Sequence, residues 1–298
     1  MNTSKIFSNA VAVSDERKLL GKEQLTRLSS ASYDDAIKML KDYGYVDCEE
    51  SADLDAFFYA QTQALVDYIE EYCPDIYLKR ILLSRYLYVN AKSAYKSIVT
   101  KKPAEGYGFL PLDAQELAED TFIKKAFDEL DGDENVTARK IDIRLTQAMY
   151  DEYIHCAKKS GERMLKKYVV SEIDIKNLLT CLRASKLGKN FDFVSDMLIK
   201  GGKLSSQILQ TVFSEGIKAL EDTEFAGLSE DAVKTEADGE EYLLALALKK
   251  RIDYDSVSPF FSYCLKKNME LKTVKMILTC VRNGVPEEIT KRLRCYYD

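Results

Sequence analysis

Glu172-Ile173-Asp174-Ile175-Lys176-Asn177-Leu178-Leu179-Thr180-Cys181-Leu182-Arg183 is the stretch from which the architecture can be read. It holds no proline or glycine, and its apolar positions recur at helical spacing. Val169-Val170, just upstream, is β-branched but embedded in the same helical period. The second half returns as Ile277-Leu278-Thr279-Cys280-Val281-Arg282, an offset of 99 residues, and Ile175-Lys176 matches Val274-Lys275 at the same distance. Thr-Cys-x-Arg met twice within helices reads as an internal repeat, and so predicts stacked or ring-arranged helical bundles. Asp174 and Asn177 lie one turn apart on this otherwise apolar helix, and Glu270 precedes its echo. The bland reading of these polar positions is a solvated face or a dipole partner; the functional one is a contact between units or with a partner.

On either side of this stretch amphipathic helices account for nearly everything, so the expected class is all-α. Ser32 before Tyr33-Asp34-Asp35 reads as an N-cap with acids in the first turn, and Gly44 stops that helix. Further helices are expected over 57–71, 76–99, 112–130, 141–159, 163–184, 191–199, 205–220 and 240–251, with a closing pair after Val257. Breaks fall at Lys101–Pro111 and at Gly201-Gly202, while Phe225–Gly239, acidic and poor in apolar residues, reads as a long loop. This spacing gives three helical domains, 1–105, 106–204 and 205–298.

The totals narrow the function. In 298 residues the net charge is −6, the opposite of what neutralises nucleic-acid phosphates, so nucleic acid is not an expected partner. No apolar stretch approaches a membrane span: Tyr242–Leu248 is short and set between acid and lysine pairs, so direct insertion in a membrane is not expected. Met1–Ala10 lacks the apolar core of a signal peptide, and the seven cysteines are scattered singly; both point to the cytoplasm and reduced thiols. Cys181 and Cys280 read as small core fillers.

Catalytic and ligand motifs each lack a member. His155 is the one histidine, without a sequence neighbour suited to a triad or a zinc site. Gly201-Gly202-Lys203 has Met197 and Leu204 where a phosphate loop needs Gly and Ser/Thr, and Gly106-Tyr107-Gly108 meets Pro111 at the third glycine of a dinucleotide motif. Asp131, Asp133 and Asn135 have calcium-loop spacing, but Val136 replaces the turn glycine and Asp142 the bidentate Glu. Asp34-Asp35 lacks the further acid of a magnesium motif, Lys38 standing there. No catalytic residue, cofactor or metal is expected.

The order of segments resembles the C subunit of the bacterial and archaeal V/A-type rotary ATPases, the counterpart of the eukaryotic d subunit. The resemblance is carried by Phe7-Ser8-Asn9-Ala10-Val11 to Leu19-Leu20, by Tyr33 to Leu40 with Tyr43-Gly44-Tyr45, and by Asn90-Ala91-Lys92. It continues through Ile141–Tyr150, Glu172–Thr180 with Arg183, Gly201-Gly202-Lys203-Leu204, Glu270–Lys275, Asn283-Gly284-Val285-Pro286 and the basic end Arg292-Leu293-Arg294. The chain departs from the family at Leu87 and Thr146, where acids are expected, and at Thr273, where Asn is expected. That frame makes Asn90, Asn177 and Thr273 equivalent, an offset of 96 for the last pair against 99 from the local echo, so two repeat registers stand.

The resemblance implies three similar helical domains in a pseudo-threefold funnel, one end on the membrane ring of ion-carrying subunits and the other receiving the axle subunits. The implied role is non-catalytic: a central-stalk rotor part that couples ATP turnover to ion transport, in the cytoplasm and peripheral on the membrane through its complex. Asn90, Lys92, Asp174, Asn177, Arg183, Glu270 and Arg282 are its candidate contacts between units or with partners. An α-helical repeat scaffold binding other proteins is the alternative, although it predicts more copies at a shorter period.

Overall fold

The computed structural model describes residues 4–46, 53–229, 232–285, 287–289 and 293–294; Cys48, Pro286, Arg292 and Cys295 fall outside them. Among the described residues there is no strand. The helices are α1 (Lys5–Glu16), α2 (Lys22–Ser30), α3 (Tyr33–Asp42), α4 (Leu54–Tyr72), α5 (Ile76–Thr100), α6 (Ala114–Leu117), α7 (Thr121–Asp131), α8 (Ala138–Lys159), α9 (Arg163–Lys186), α10 (Phe191–Ser195), α11 (Ser206–Glu215), α12 (Ala232–Leu248) and α13 (Ser258–Arg282), with a 3-10 turn at Ile217–Leu220. The chain groups into two compact units, residues 1–79 with 250–298, and residues 80–249.

The first unit is built on α13, which packs against α1, α2, α3 and α4. Nearly every face of α13 is covered: Phe260, Phe261, Val274, Ile277 and Leu278 are fully buried. A helix covered on nearly every face sits inside a bundle, and each buried apolar side chain contributes about 1.5–3 kcal/mol relative to exposure. Asn9, itself fully buried, ties α1 to the entry of this helix. Its Nδ2 donates to the carbonyls of Tyr254 (2.9 Å) and Ser256 (2.8 Å), and its Oδ1 accepts from the Phe260 amide (3.2 Å). Ser32 caps α3 and Gly44, at φ 87°, ends it, as the sequence predicts.

In the second unit the inward face of α5, with Tyr88, Ala91 and Tyr95, shares a core with Ile123 and Phe127 of α7 and Ile141 and Leu145 of α8. Downstream, α9 packs against α8, α10, α11 and α12. Arg80 pins the α5 side by bonding both Asp120 and Glu152. Burial pushes the Glu152 carboxyl up from its ordinary value, with Arg80 opposing.

Besides the helices expected over 191–199 and 205–220, which stop at Ser195 and break at Gly216 before the 3-10 turn, two expectations differ from the structure. The helix expected over 112–130 is split into α6 and α7, because Asp120 turns its carboxylate onto the amides of Phe122 (2.9 Å) and Ile123 (3.0 Å) and starts a new helix. The loop expected at 225–239 gives way to α12 from Ala232. Small residues do the packing there: Thr235 is fully buried, and a Cβ on Gly239 would collide with Ile175, so this glycine lets α12 lie close on α9. A segment that packs with Thr and Gly is poor in large apolar side chains without being a loop.

Candidate functional site

The residues singled out in the sequence form buried clasps on the long helices α5, α9 and α13. Asn90 on α5 is fully buried. Its Oδ1 accepts from the Tyr107 amide (2.8 Å) and its Nδ2 donates to the Tyr107 carbonyl (2.9 Å) and to that of Pro111 (2.8 Å). Asn177 on α9 does the same to Ile199, accepting from its amide and donating to its carbonyl, both at 2.8 Å. A carboxamide suits this task because it carries one donor and one acceptor group, matching both backbone groups of one residue. Each clasp fixes the returning chain against its helix and leaves no polar backbone group of the clasped residue buried and unpaired.

One turn before Asn177, the carboxylate of Asp174 accepts the amides of Lys203 and Leu204, each at 3.0 Å. Gly201-Gly202-Lys203, which fails as a phosphate loop, instead has its last amide, that of Lys203, held by this carboxylate, and Gly202 is needed because a Cβ would strike it. Burial pushes the Asp174 carboxyl above its ordinary value, while the Lys203 and Leu204 amides pull it back. Glu270 plays the same part on α13: it accepts the Leu20 amide on one oxygen and, on the other, the Tyr45 hydroxyl (2.8 Å) and the Lys267 ammonium (2.6 Å).

These contacts decide between the two repeat registers. Leu204 stands two residues before α11 and Leu20 two before α2, so Asp174 and Glu270, 96 residues apart, do the same work. The helix ends agree. Lys189 N–H bonds the Ala184 carbonyl (3.1 Å) and Val285 N–H that of Cys280 (3.0 Å), closing α9 and α13 over Gly188 and Gly284, both at positive φ and again 96 apart. Thr273 breaks the pattern as the sequence anticipates: with no carboxamide, its hydroxyl turns back to the Met269 carbonyl (3.1 Å).

The other candidates stand apart. Lys92 reaches the Thr146 hydroxyl (2.7 Å), the position where the family resemblance calls for an acid, and burial lowers the Lys92 ammonium from its ordinary value. Arg183 is exposed and pairs with Glu236 of α12 (2.6 Å). Arg282, also largely open to solvent, lies 6.0 Å from the Tyr33 ring. The seven candidates therefore do not converge on one place, and what they form is an internal set of ties.

The acids with calcium-loop spacing are engaged by cations and hydroxyls: Asp131 by Tyr95, Asp133 by Lys140 and Asp142 by Lys96. His155 is exposed, with the Phe122 ring 5.6 Å away. Among the described residues no cluster of His, Cys, Asp or Glu could hold a metal ion, and no helix is long and apolar enough to cross a membrane. Sequence reasoning missed the roles of Arg80 and Asn9; a lone Asn inside an apolar helix face was the available signal for Asn9, as it was for Asn177.

Residues 9–293 match the family model described as ATP synthase (C/AC39) subunit. Among curated relatives, the C subunit of the A-type ATP synthase of Methanococcoides burtonii is 28% identical over 148 residues, covering 45% of this chain and 42% of the relative. That of Desulfurococcus sp. is 29% identical over 150 residues, 46% and 41% respectively, and that of Thermococcus onnurineus 25% identical over 244 residues, 72% and 66%. In the first two relatives the matched stretch thus spans less than half of their length. With the family model matching nearly end to end, across every clasp described above, the chain belongs to the ATP synthase (C/AC39) subunit family.

Proposed function

We propose that this chain is the non-catalytic coupling part of a V/A-type rotary ATPase, seated between the axle subunits and the membrane ring and transmitting torque between ATP turnover and ion transport. The family match over 9–293 carries the reading. The clasps add a physical reason: a torque-bearing part must resist deformation, and buried hydrogen bonds that lock loops onto long helices supply that resistance. In this reading the chain forms three helical domains, 1–105, 106–204 and 205–298, arranged as a funnel, and is peripheral on the membrane through its complex. Of the seven candidates, the exposed Arg183 and Arg282 are read as partner contacts, while Asn90, Lys92, Asp174, Asn177 and Glu270 act by keeping helices and loops together.

The test is a pull-down of the tagged full chain from its native membranes in mild detergent, with mass spectrometry of what comes with it. Joint recovery of axle and membrane-ring subunits is the expected result. Recovery of unrelated proteins, from membranes where the motor subunits are abundant, would replace this reading with that of a helical scaffold.

A further inference from the structure

We infer that a pocket of about 400 Å³ in the first unit, between α1 and the turn leading into α13, docks an acidic, partly apolar segment of another protein chain. Val13, Pro259, Ile252 and Tyr254 line it. Ile252 is 85% exposed and Tyr254 39%, and Ile6, on the same face of α1 as Val13, is 62% exposed. Large apolar side chains grouped around one concavity mark an interaction surface, whereas the same residues scattered singly would not.

The charges say what fits. The pocket also holds Arg17 and Arg251, both open to solvent and neither paired among the described residues. Three of the carboxylates near them are engaged, Glu16 by Lys266, which also lines the pocket, Asp15 by Lys18 (2.6 Å) and Asp253 by Lys250 (3.4 Å), while Asp255 is exposed beside Tyr254. Two unpaired guanidinium groups beside an apolar wall, in a chain of net charge −6, match a segment that brings carboxylates next to apolar side chains. A second copy of this chain is disfavoured because two molecules of net charge −6 repel as wholes. The inference rests on the coupling reading only for where the partner is sought, in the ATPase complex.

The experiment places a photo-reactive benzoylphenylalanine at Ile252 of the full-length chain and irradiates it in native membranes. Adducts are identified by mass spectrometry, with the tagged pull-down run in parallel. The expected adduct is a peptide of another ATPase component with Asp or Glu beside apolar residues. Its yield should fall at least about tenfold in Arg17→Glu/Arg251→Glu and return in Arg17→Lys/Arg251→Lys, since rim charge pairs govern association. Circular dichroism of both exposed-site variants checks that they fold. An adduct on lipid or on a second copy of this chain, an adduct peptide without acids, or a yield indifferent to charge reversal overturns the inference. So does the absence of any adduct while motor subunits still co-purify. An acidic adduct from a chain outside the ATPase supports the surface and counts against the coupling reading instead.

Discussion

Asp174 shows how a buried charge can be retained for its geometry. Its two oxygens each take one backbone amide, an arrangement that no neutral side chain of similar size reproduces. In Asp174→Asn one oxygen becomes an NH₂ that faces a backbone N–H, so one amide is left buried without an acceptor. A loss of about 1–3 kcal/mol at neutral pH is expected from that alone. The charge also leaves a signature. Because burial raises this carboxyl above its unfolded value, the folded state holds the proton longer. Its stabilising contribution is then complete below the unfolded value and is lost as pH rises through the folded one. Asp174→Asn has no such proton, so the stability gap between wild type and variant should narrow as pH rises through that window. Urea unfolding of both proteins, from the ordinary carboxylate value upward in pH, reads this directly, and a gap that widens instead would mean the amides outweigh burial.

At the level of helices, the three clasp-bearing elements end alike. Gly188 lies eleven residues after Asn177 and Gly284 eleven after Thr273, and both adopt the left-handed conformation that closes a helix. Eleven residues after Asn90 the same role falls to Lys101, at φ 56° the one non-glycine residue with positive φ among the described residues. A side chain bearing Cβ is strained there, so Lys101→Gly should raise stability by about 0.5–1 kcal/mol, a change visible in the urea midpoint. A lower midpoint would mean that the Lys101 side chain contributes more than its backbone costs. The same helices show what could and could not be read from sequence. Their existence was legible because a 3.6-residue period survives in any amphipathic helix. Their register was not: shifts of 96 and 99 differ by about one turn and bring the same apolar face round. Only the groups that hydrogen-bond, Asp174 with Glu270 and the helix-ending glycines, tell the two apart. The start of α12 was hidden because Thr235 and Gly239 pack it without bulk, and Arg80 because its partners Asp120 and Glu152 are distant in sequence.

Across the full chain, the first unit joins the two ends, 1–79 with 250–298, so its folding depends on contacts across more than two hundred residues. Such contacts form late, since the entropy of closing the loop must be met before they contribute. Among the polar ties that span that gap, three start within residues 1–20: Asn9 to the entry of α13, Glu16 to Lys266, and the Leu20 amide to Glu270. Removing residues 1–20 would cut all three and leave Glu270 buried with part of its hydrogen bonding gone, as well as uncovering the face of α13 that α1 packs against. Opening of this unit should then become far easier than that of the second, whose core on α5, α7, α8 and α9 is assembled from continuous sequence. Amide exchange followed by mass spectrometry should show protection in α13 and α2–α4 falling at least about tenfold, the factor that corresponds to roughly 1.4 kcal/mol, while α7–α9 keep theirs. Equal loss in both units would show that the chain opens as one body, and unchanged exchange in α13 would show that α2–α4 suffice to hold it. Selective loss in the first unit is the outcome the hydrogen bonds favour, because every tie named here ends on a residue of that unit.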